Sequence, residues 1–171
     1  LDQPGMLGIR MSFHIQPHMG WLSDGSLDWF WAETERLNIP LMVLVPANSG
    51  KMAPVAERHP NLTLIIDHLG TPREVAGDAA WADLPNLLAL AKYPNVYAKA
   101  SSLPTYSEQP YPYRDLHEPL RRVYDAFGPR RMPSDMARPR WLRMSCSRTT
   151  LNIALQVPAV MPVRPVSKSL T

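Results

Sequence analysis

The chain has 171 residues, of which 45% are hydrophobic, a composition that fits one globular domain with a buried core. It contains no apolar run near the ~18 residues that a membrane span requires. Residues 1–8 lack the basic start and apolar stretch of a signal peptide. Cys146 is the single cysteine, so no internal disulfide can form, and we expect a cytoplasmic protein.

The net charge of +3 is unevenly distributed along the chain. Residues 1–135 contain 15 acidic and 12 basic residues, whereas residues 136–171 contain six basic residues and no acidic residue. No nucleic-acid-binding motif accompanies the basic segment, so we predict neither a nucleic-acid nor a membrane partner. The chain divides into a domain at 1–135 and a basic, irregular tail rich in Pro, Ser and Arg at 136–171.

Apolar runs alternate with helical patterns through the domain. Strands are predicted at 8–13, 41–46, 62–66 and 96–102, and helices at 27–37, 51–58, 81–91 and 114–127. Strict alternation of this kind indicates βαβ units and a parallel sheet. A complete (β/α)8 barrel has roughly 250 residues. The sequence therefore predicts an α/β fold, a partial (β/α)8 TIM barrel of about four to five βα units.

The most informative stretch is Asn61–Gly70, an apolar strand that ends in Asp67, His68 and a glycine. A strand buried on both faces is typical of parallel sheets. In a barrel, polar side chains at the carboxyl ends of the strands line the active face, which is where Asp67 and His68 are expected. The alternative is that His68 only caps the strand or hydrogen-bonds a neighbouring carbonyl.

Polar residues also end two neighbouring strands. Asn48 follows the strand at 41–46, and Lys99 and Ser101 lie near the end of the strand at 96–102. Right-handed crossovers bring these ends to one edge of the sheet. We predict substrate-binding roles for Asn48, Asp67, Lys99 and Ser101. Lys99 could neutralise a substrate carboxylate or pair with Asp67 or another acid.

The remaining histidines carry weaker signals. His14 and His18 have the spacing of helical metal ligands, but Pro17 opposes a helix through them, so we favour loop residues near a substrate pocket. His59 precedes a strand and is interpreted as structural. The loop at 103–113 is long and aromatic enough to serve as a lid over a pocket.

Six motifs together resemble the amidohydrolase-related TIM-barrel family, which includes metal-dependent hydrolases, lactonases and decarboxylases. The similarity spans about residues 5–132 and rests on the order and spacing of these motifs. They are Gly8-Ile9-Arg10, Ile39-Pro40-Leu41-Met42-Val43, His59-Pro60-Asn61-Leu62, Ile66-Asp67-His68-Leu69-Gly70, Pro94-Asn95-Val96-Tyr97-Ala98-Lys99-Ala100-Ser101 and Ala126-Phe127-Gly128-Pro129-Arg130-Arg131-Met132.

The resemblance implies an active-site role for His68, which would bind a divalent metal in the metal-dependent members, with zinc the expected ion. Asp135 matches the position of the catalytic Asp of the last strand and would serve as general base or second metal ligand. A zinc-bound water could then attack a carbonyl carbon. The resemblance therefore implies that His68 and Asp135 are catalytic and ligate metal.

The sequence departs from the family pattern at several places. The His-x-His pair of the first family strand is absent, and Leu44 or Val45 stands where a further His is often found. Pro133 replaces the aromatic residue and glycine expected before Asp135. The pattern ends at Arg138, and the composition of 139–171 resembles a shifted reading frame.

The leading functional hypothesis is a hydrolase of this family that acts on an ester, lactone or amide bond of a small, anionic substrate. A decarboxylase of the same family would use the same residues. The third hypothesis, from another class, is a non-catalytic barrel remnant whose unpaired edges a homo-oligomer would cover.

Overall fold

The computed structural model describes residues 8–133, in which a four-stranded sheet alternates with helices. The strands are β1 (Ile9–Ser12), β2 (Leu41–Leu44), β3 (Leu64–Ile66) and β4 (Val96–Ala98). The α-helices are α1 (His18–Trp21), α2 (Asp28–Arg36), α3 (Ala53–Arg58), α4 (Leu84–Ala89) and α5 (His117–Arg131). Short 3-10 helices lie at Ser49–Met52, Asp67–Gly70, Gly77–Trp81, Leu90–Lys92, Leu103–Tyr106 and Arg114–Leu116.

All neighbouring strands are parallel and follow chain order, β1-β2-β3-β4. This arrangement confirms the predicted partial TIM-barrel fold. The strands are shorter than predicted, and β3 begins at Leu64 because the chain is still turning at 59–62. The predicted loop between His14 and His18 also ends earlier than expected, since α1 begins at His18.

Helices cover one face of the sheet and leave the other face polar at its edge. Side chains alternate along a strand, so Val43, Ile66 and Ala98 point into the core that the helices form. On the opposite face, one register row crosses all four strands and consists of Arg10, Met42, Ile65 and Tyr97. A closed barrel would place this face inside the lumen.

The amino-terminal end of the sheet is held by a network of side chains. Nδ1 of His59 lies 2.8 Å from the carboxylate of Glu35, which also accepts the backbone N–H of Asn61 at 2.9 Å. The His59 hydrogen bond lowers the pKa of the Glu35 carboxyl. The amide of Asn95 donates to three carbonyls of the same region, at 2.9–3.3 Å. His59 thus lies where the structural role was predicted, away from the carboxyl edge.

The chain returns to the sheet after α5. Gly128 has φ +70 and breaks the regular helix where the sequence predicted a stop, although the helical turn continues to Arg131. The Arg131 guanidinium donates to the carbonyls of Ala91 and Tyr93. The backbone N–H of Ala100 then donates to the carbonyl of Pro133 at 2.8 Å, so the chain reaches the open edge of β4.

Within residues 8–133, no helix is long and apolar enough to cross a membrane. The predicted tail at 136–171 and the predicted catalytic residue Asp135 lie outside the described residues.

Candidate active site

The backbone directly after β3 adopts a rare conformation. His68 and Leu69 have φ values of +52 and +55, and Gly70 follows at +67. Left-handed residues other than glycine are uncommon, and the strain costs about 1–3 kcal/mol each. Strain of this kind concentrates at active sites, where the surrounding structure enforces it.

Neighbouring strands hold this turn in place. The backbone N–H of Leu69 donates to the carbonyl of Lys99 at 3.1 Å, and Ala47 donates to the carbonyl of Gly70 at 2.8 Å. Leu69 is buried in the core, while the side chain of Ser49 packs directly against Gly70. The turn therefore fixes the direction in which the Asp67 and His68 side chains leave the sheet.

Asp67 is the centre of a buried ion cluster. Its side chain is 1% exposed. Arg10 donates to Oδ2 from Nε at 2.8 Å and from Nη2 at 2.6 Å, and Nζ of Lys99 lies 3.2 Å from Oδ1. Arg10 extends across β2 to make this contact. One buried carboxylate thus holds two cations from β1 and the end of β4.

The cations control the charge state of Asp67. Burial raises the pKa of the Asp67 carboxyl, but the positive charges of Lys99, of Arg10 and of His68, which is protonated at the low pH where Asp67 titrates, outweigh it and leave the pKa lowered. With Asp67 ionised and His68 neutral, this cluster has a net charge of +1, obtained from Arg10, Lys99 and Asp67. The carboxyl edge of the sheet therefore favours an anionic ligand.

His68 contacts two hydrogen-bonding side chains at once. Its Nδ1 lies 2.8 Å from Oγ of the buried Ser101, and its Nε2 lies 3.4 Å from Oδ2 of Asp67. Burial lowers the pKa of His68, the Asp67 charge opposes this, and the charges of Lys99 and Arg10 add to the lowering. The imidazole is therefore held neutral near pH 7, about the pH at which an unperturbed histidine begins to protonate.

This shift predicts a pH dependence of stability. The folded-state pKa of His68 lies below the ordinary value of 6.5, so the unfolded chain binds more protons just below that pH. The contribution of neutral His68 to the free energy of unfolding is therefore complete above pH 6.5. It is lost as the pH falls toward the folded-state pKa.

We expect the free energy of unfolding to fall more in the wild type than in His68→Gln when urea denaturation at about pH 7.5 is repeated at about pH 5.5. Asp67 does not interfere, because its pKa is lowered from 3.8. Equal losses in both proteins would show that burial of His68 does not control its protonation.

The structure brings together four of the six predicted site residues. Asp67, His68, Lys99 and Ser101 form one connected network. Lys99 pairs with Asp67, which is one of the two roles left open for it, and its substrate-binding role stays a prediction. Asn48 lies at the same edge, but its amide donates to the carbonyl of Pro46 at 2.8 Å and is not hydrogen-bonded to the network.

One residue of the site was not predicted, and one residue of the predicted lid is more buried than expected. Arg10 lies in β1, and a charged residue inside a predicted strand was the signal that could have revealed it. Tyr106 was assigned only to a lid, but its side chain is 1% exposed. It packs edge-on against Trp81 and forms a small apolar cluster with Ala80 and Leu116, so part of the predicted lid is firmly packed.

The described residues do not by themselves fit a zinc centre. Catalytic zinc sites use about three protein ligands, and residues 8–133 contain no group of three His, Cys, Asp or Glu side chains that could hold a metal ion. Both oxygens of Asp67 already face cations, and Nδ1 of His68 faces Ser101. Because Asp135 lies outside the described residues, the predicted metal pair stays a prediction.

A strand-end cluster on a partial barrel is the arrangement expected of a TIM-barrel enzyme. Comparison with known proteins agrees, since the family model described as amidohydrolase matches residues 1–132. The chain belongs to the amidohydrolase family. A search of curated proteins found no match.

Solved structures support the fold. An amidohydrolase from Burkholderia multivorans with bound zinc is 25% identical with a TM-score of 0.63, covering 82% of this chain and 52% of that one. The same protein with bound HEPES is 24% identical with a TM-score of 0.61, covering 76% and 50%. Amidohydrolase 2 from Bifidobacterium longum subsp. infantis is 24% identical with a TM-score of 0.52, covering 80% and 48%. The chain thus spans about half the length of these structures.

Proposed function

We propose that the carboxyl edge of this sheet is the reacting site of a hydrolase that cleaves an ester, lactone or amide bond in a small anionic molecule. The observation that carries the proposal is the buried Asp67, which holds Arg10 and Lys99 beside the neutral imidazole of His68. Membership of the amidohydrolase family supports a hydrolase or lyase reaction in general. The type of bond and the charge of the substrate are our inference from the cluster.

Charge is the first argument for an anionic substrate. Asp67 neutralises only one of the two cations that contact it, and the Lys99 side chain is 21% exposed. An ammonium group has three donors; one contacts Asp67 at 3.2 Å and another faces the Met42 sulfur at 4.0 Å, which leaves one for a ligand. Lys99 can therefore hold Asp67 in place and still bind a substrate carboxylate.

The neutral imidazole of His68 and the two neighbouring cations favour attack on a carbonyl carbon. A neutral imidazole beside the cations can donate to a carbonyl oxygen as negative charge develops there, and Asp135 remains the predicted general base. Zinc is bound in one of the similar structures. The predicted zinc ligation by His68 and Asp135 is an alternative to this role, because an imidazole nitrogen that donates a hydrogen bond cannot also bind a metal ion.

The proposal is tested with two esters that differ only in a carboxylate, phenyl acetate and 4-acetoxybenzoate. We expect the purified chain to hydrolyse the carboxylated ester with about tenfold higher kcat/KM, because one ion pair of about 1.4 kcal/mol gives that ratio. Lys99→Met should abolish the preference. Lys92→Met is the matched control, since the Lys92 ammonium lies over the Tyr93 ring near the other end of β4.

Equal rates for the two esters, or a preference that survives Lys99→Met, would contradict the anionic-substrate proposal. Absence of hydrolysis would favour the non-catalytic remnant. Release of carbon dioxide from carboxylate substrates without ester cleavage would favour the decarboxylase.

A further inference from the structure

A cavity lies among helices α1, α2 and α3, and residues from all three helices line it. Its volume is about 440 Å³, which falls within the range of about 300–1,000 Å³ that small-molecule sites occupy. None of the residues that line it belongs to the ion cluster at the carboxyl edge of the sheet. The cavity is therefore a second candidate site, separate from the reacting site.

The floor of this cavity is apolar and firmly packed. Trp31 and Val55 line it and are 2% and 3% exposed, so both side chains belong to the hydrophobic core. The Trp31 ring packs edge-on against Phe30, with 5.4 Å between the ring centroids. Trp21 is only partly buried and forms a wall of the cavity. Two indole groups thus line the cavity, which favours a ligand that has an aromatic ring of its own.

The charged side chains at the cavity leave one cation without a partner. Both terminal nitrogens of Arg58 donate to Asp28 at 3.2 Å, and its Nε donates to the carbonyl of Pro54 at 3.3 Å. Lys51 is exposed, and its ammonium has no hydrogen-bond or ion-pair partner within residues 8–133. Two cations and one carboxylate give a net charge of +1 at the cavity. A ligand with a single negative charge balances it.

We propose that this cavity binds a small monocarboxylate with an aromatic ring. The ring packs against Trp21 and Trp31, and the carboxylate pairs with Lys51. A doubly charged group such as a phosphate ester fits less well, because the Asp28 carboxylate lies at the same cavity and repels the second charge. The inference does not depend on the proposed hydrolase function.

Proton–nitrogen NMR of the isotope-labelled full chain, titrated with 3-phenylpropionate, measures binding at this cavity without any turnover. We expect the indole N–H signals of Trp21 and Trp31 to shift and to saturate together. The signal of Trp29 should stay in place and is the internal control, because Trp29 is 64% exposed on α2 and does not line the cavity. The uncharged 3-phenylpropanamide should bind about threefold more weakly, as expected for the loss of an exposed ion pair.

Two variants separate the roles of charge and ring. Lys51→Met should abolish the difference in affinity between the two probes, and Trp21→Ala should weaken the binding of both about fivefold through the lost aromatic contact. Lys92→Met is the matched control, since Lys92 is also exposed but its ammonium lies over the Tyr93 ring. If Trp21→Ala fails to fold, the wild-type and Lys51→Met titrations still decide the proposal.

Three results would overturn this assignment. They are equal shifts at Trp29, a carboxylate preference that survives Lys51→Met, and the absence of shifts at Trp21 and Trp31 at millimolar probe. Binding that is lost in Lys99→Met but kept in Lys51→Met would locate the anion at the carboxyl edge and would also contradict it. Because the titration needs no turnover, its outcome is independent of the ester assay.

Discussion

Replacement of Asp67 by Asn is expected to destabilise the fold by about 3 kcal/mol, because it leaves two partly buried cations without their common counter-ion. Arg10 and Lys99 contact different oxygens of the carboxylate. An amide has one oxygen and one NH₂ group, so one cation would face a donor instead of an acceptor. Urea denaturation of the two proteins measures the difference.

The matched control is Asp28→Asn, since Asp28 pairs with Arg58 at 3.2 Å but both side chains are about half exposed. Exposed ion pairs contribute little, so the control should unfold like the wild type. The double variant Asp67→Asn/Lys99→Met should recover part of the lost stability by removing one unpaired cation. Equal stability of Asp67→Asn and the wild type would mean that the ion cluster does not hold the edge together.

Gly70→Ala is expected to cost about 2–3 kcal/mol, from a backbone that disfavours a side chain and from a collision. Gly70 has φ +67, and a Cβ there would collide with the Ser49 hydroxyl. Ser49 is fully buried, so its hydroxyl has little room to move away from the added Cβ. Thermal and urea unfolding both report the loss.

Gly50→Ala provides the comparison at a neighbouring glycine. Its Cβ would lie 3.5 Å from Asn86, an ordinary contact, and Gly50 is not left-handed. The double variant Ser49→Gly/Gly70→Ala should remove the collision but keep the backbone strain, and so recover only part of the stability. If Gly70→Ala and Gly50→Ala unfold alike, the left-handed turn is not a constraint on this site.

Much of the fold could be predicted because the sequence of each strand has a recognisable apolar pattern. The apolar run before Asp67 defines β3, and the alternation of strands and helices defines a parallel sheet. Parallel strands share one carboxyl edge, which places Lys99 near Asp67 once their order is known. These inferences need only local patterns and the handedness of the crossovers.

The contacts that define the site could not be predicted in the same way. The pairing of Arg10 with Asp67 passes over β2 and depends on the length and direction of a flexible side chain. The hydrogen bond between Ser101 and His68 depends on the left-handed turn. The sequence does not predict that His68 and Leu69, neither of them a glycine, both have a positive φ. The strand at 41–46 was also predicted too long, because Val45 continues the apolar run after β2 ends at Leu44.

The most direct test of the active-site assignment is the rate of hydrolysis of 4-acetoxybenzoate by His68→Ala, compared with the wild type and with His117→Ala. His117 is exposed and hydrogen-bonds the carbonyl of Pro112 at the start of α5, so its loss should leave the rate unchanged. We predict that kcat falls about 100-fold or more in His68→Ala, as expected when one donor to a developing oxyanion is removed. A folded His68→Ala protein with wild-type kcat would show that the reaction does not take place at this edge of the sheet.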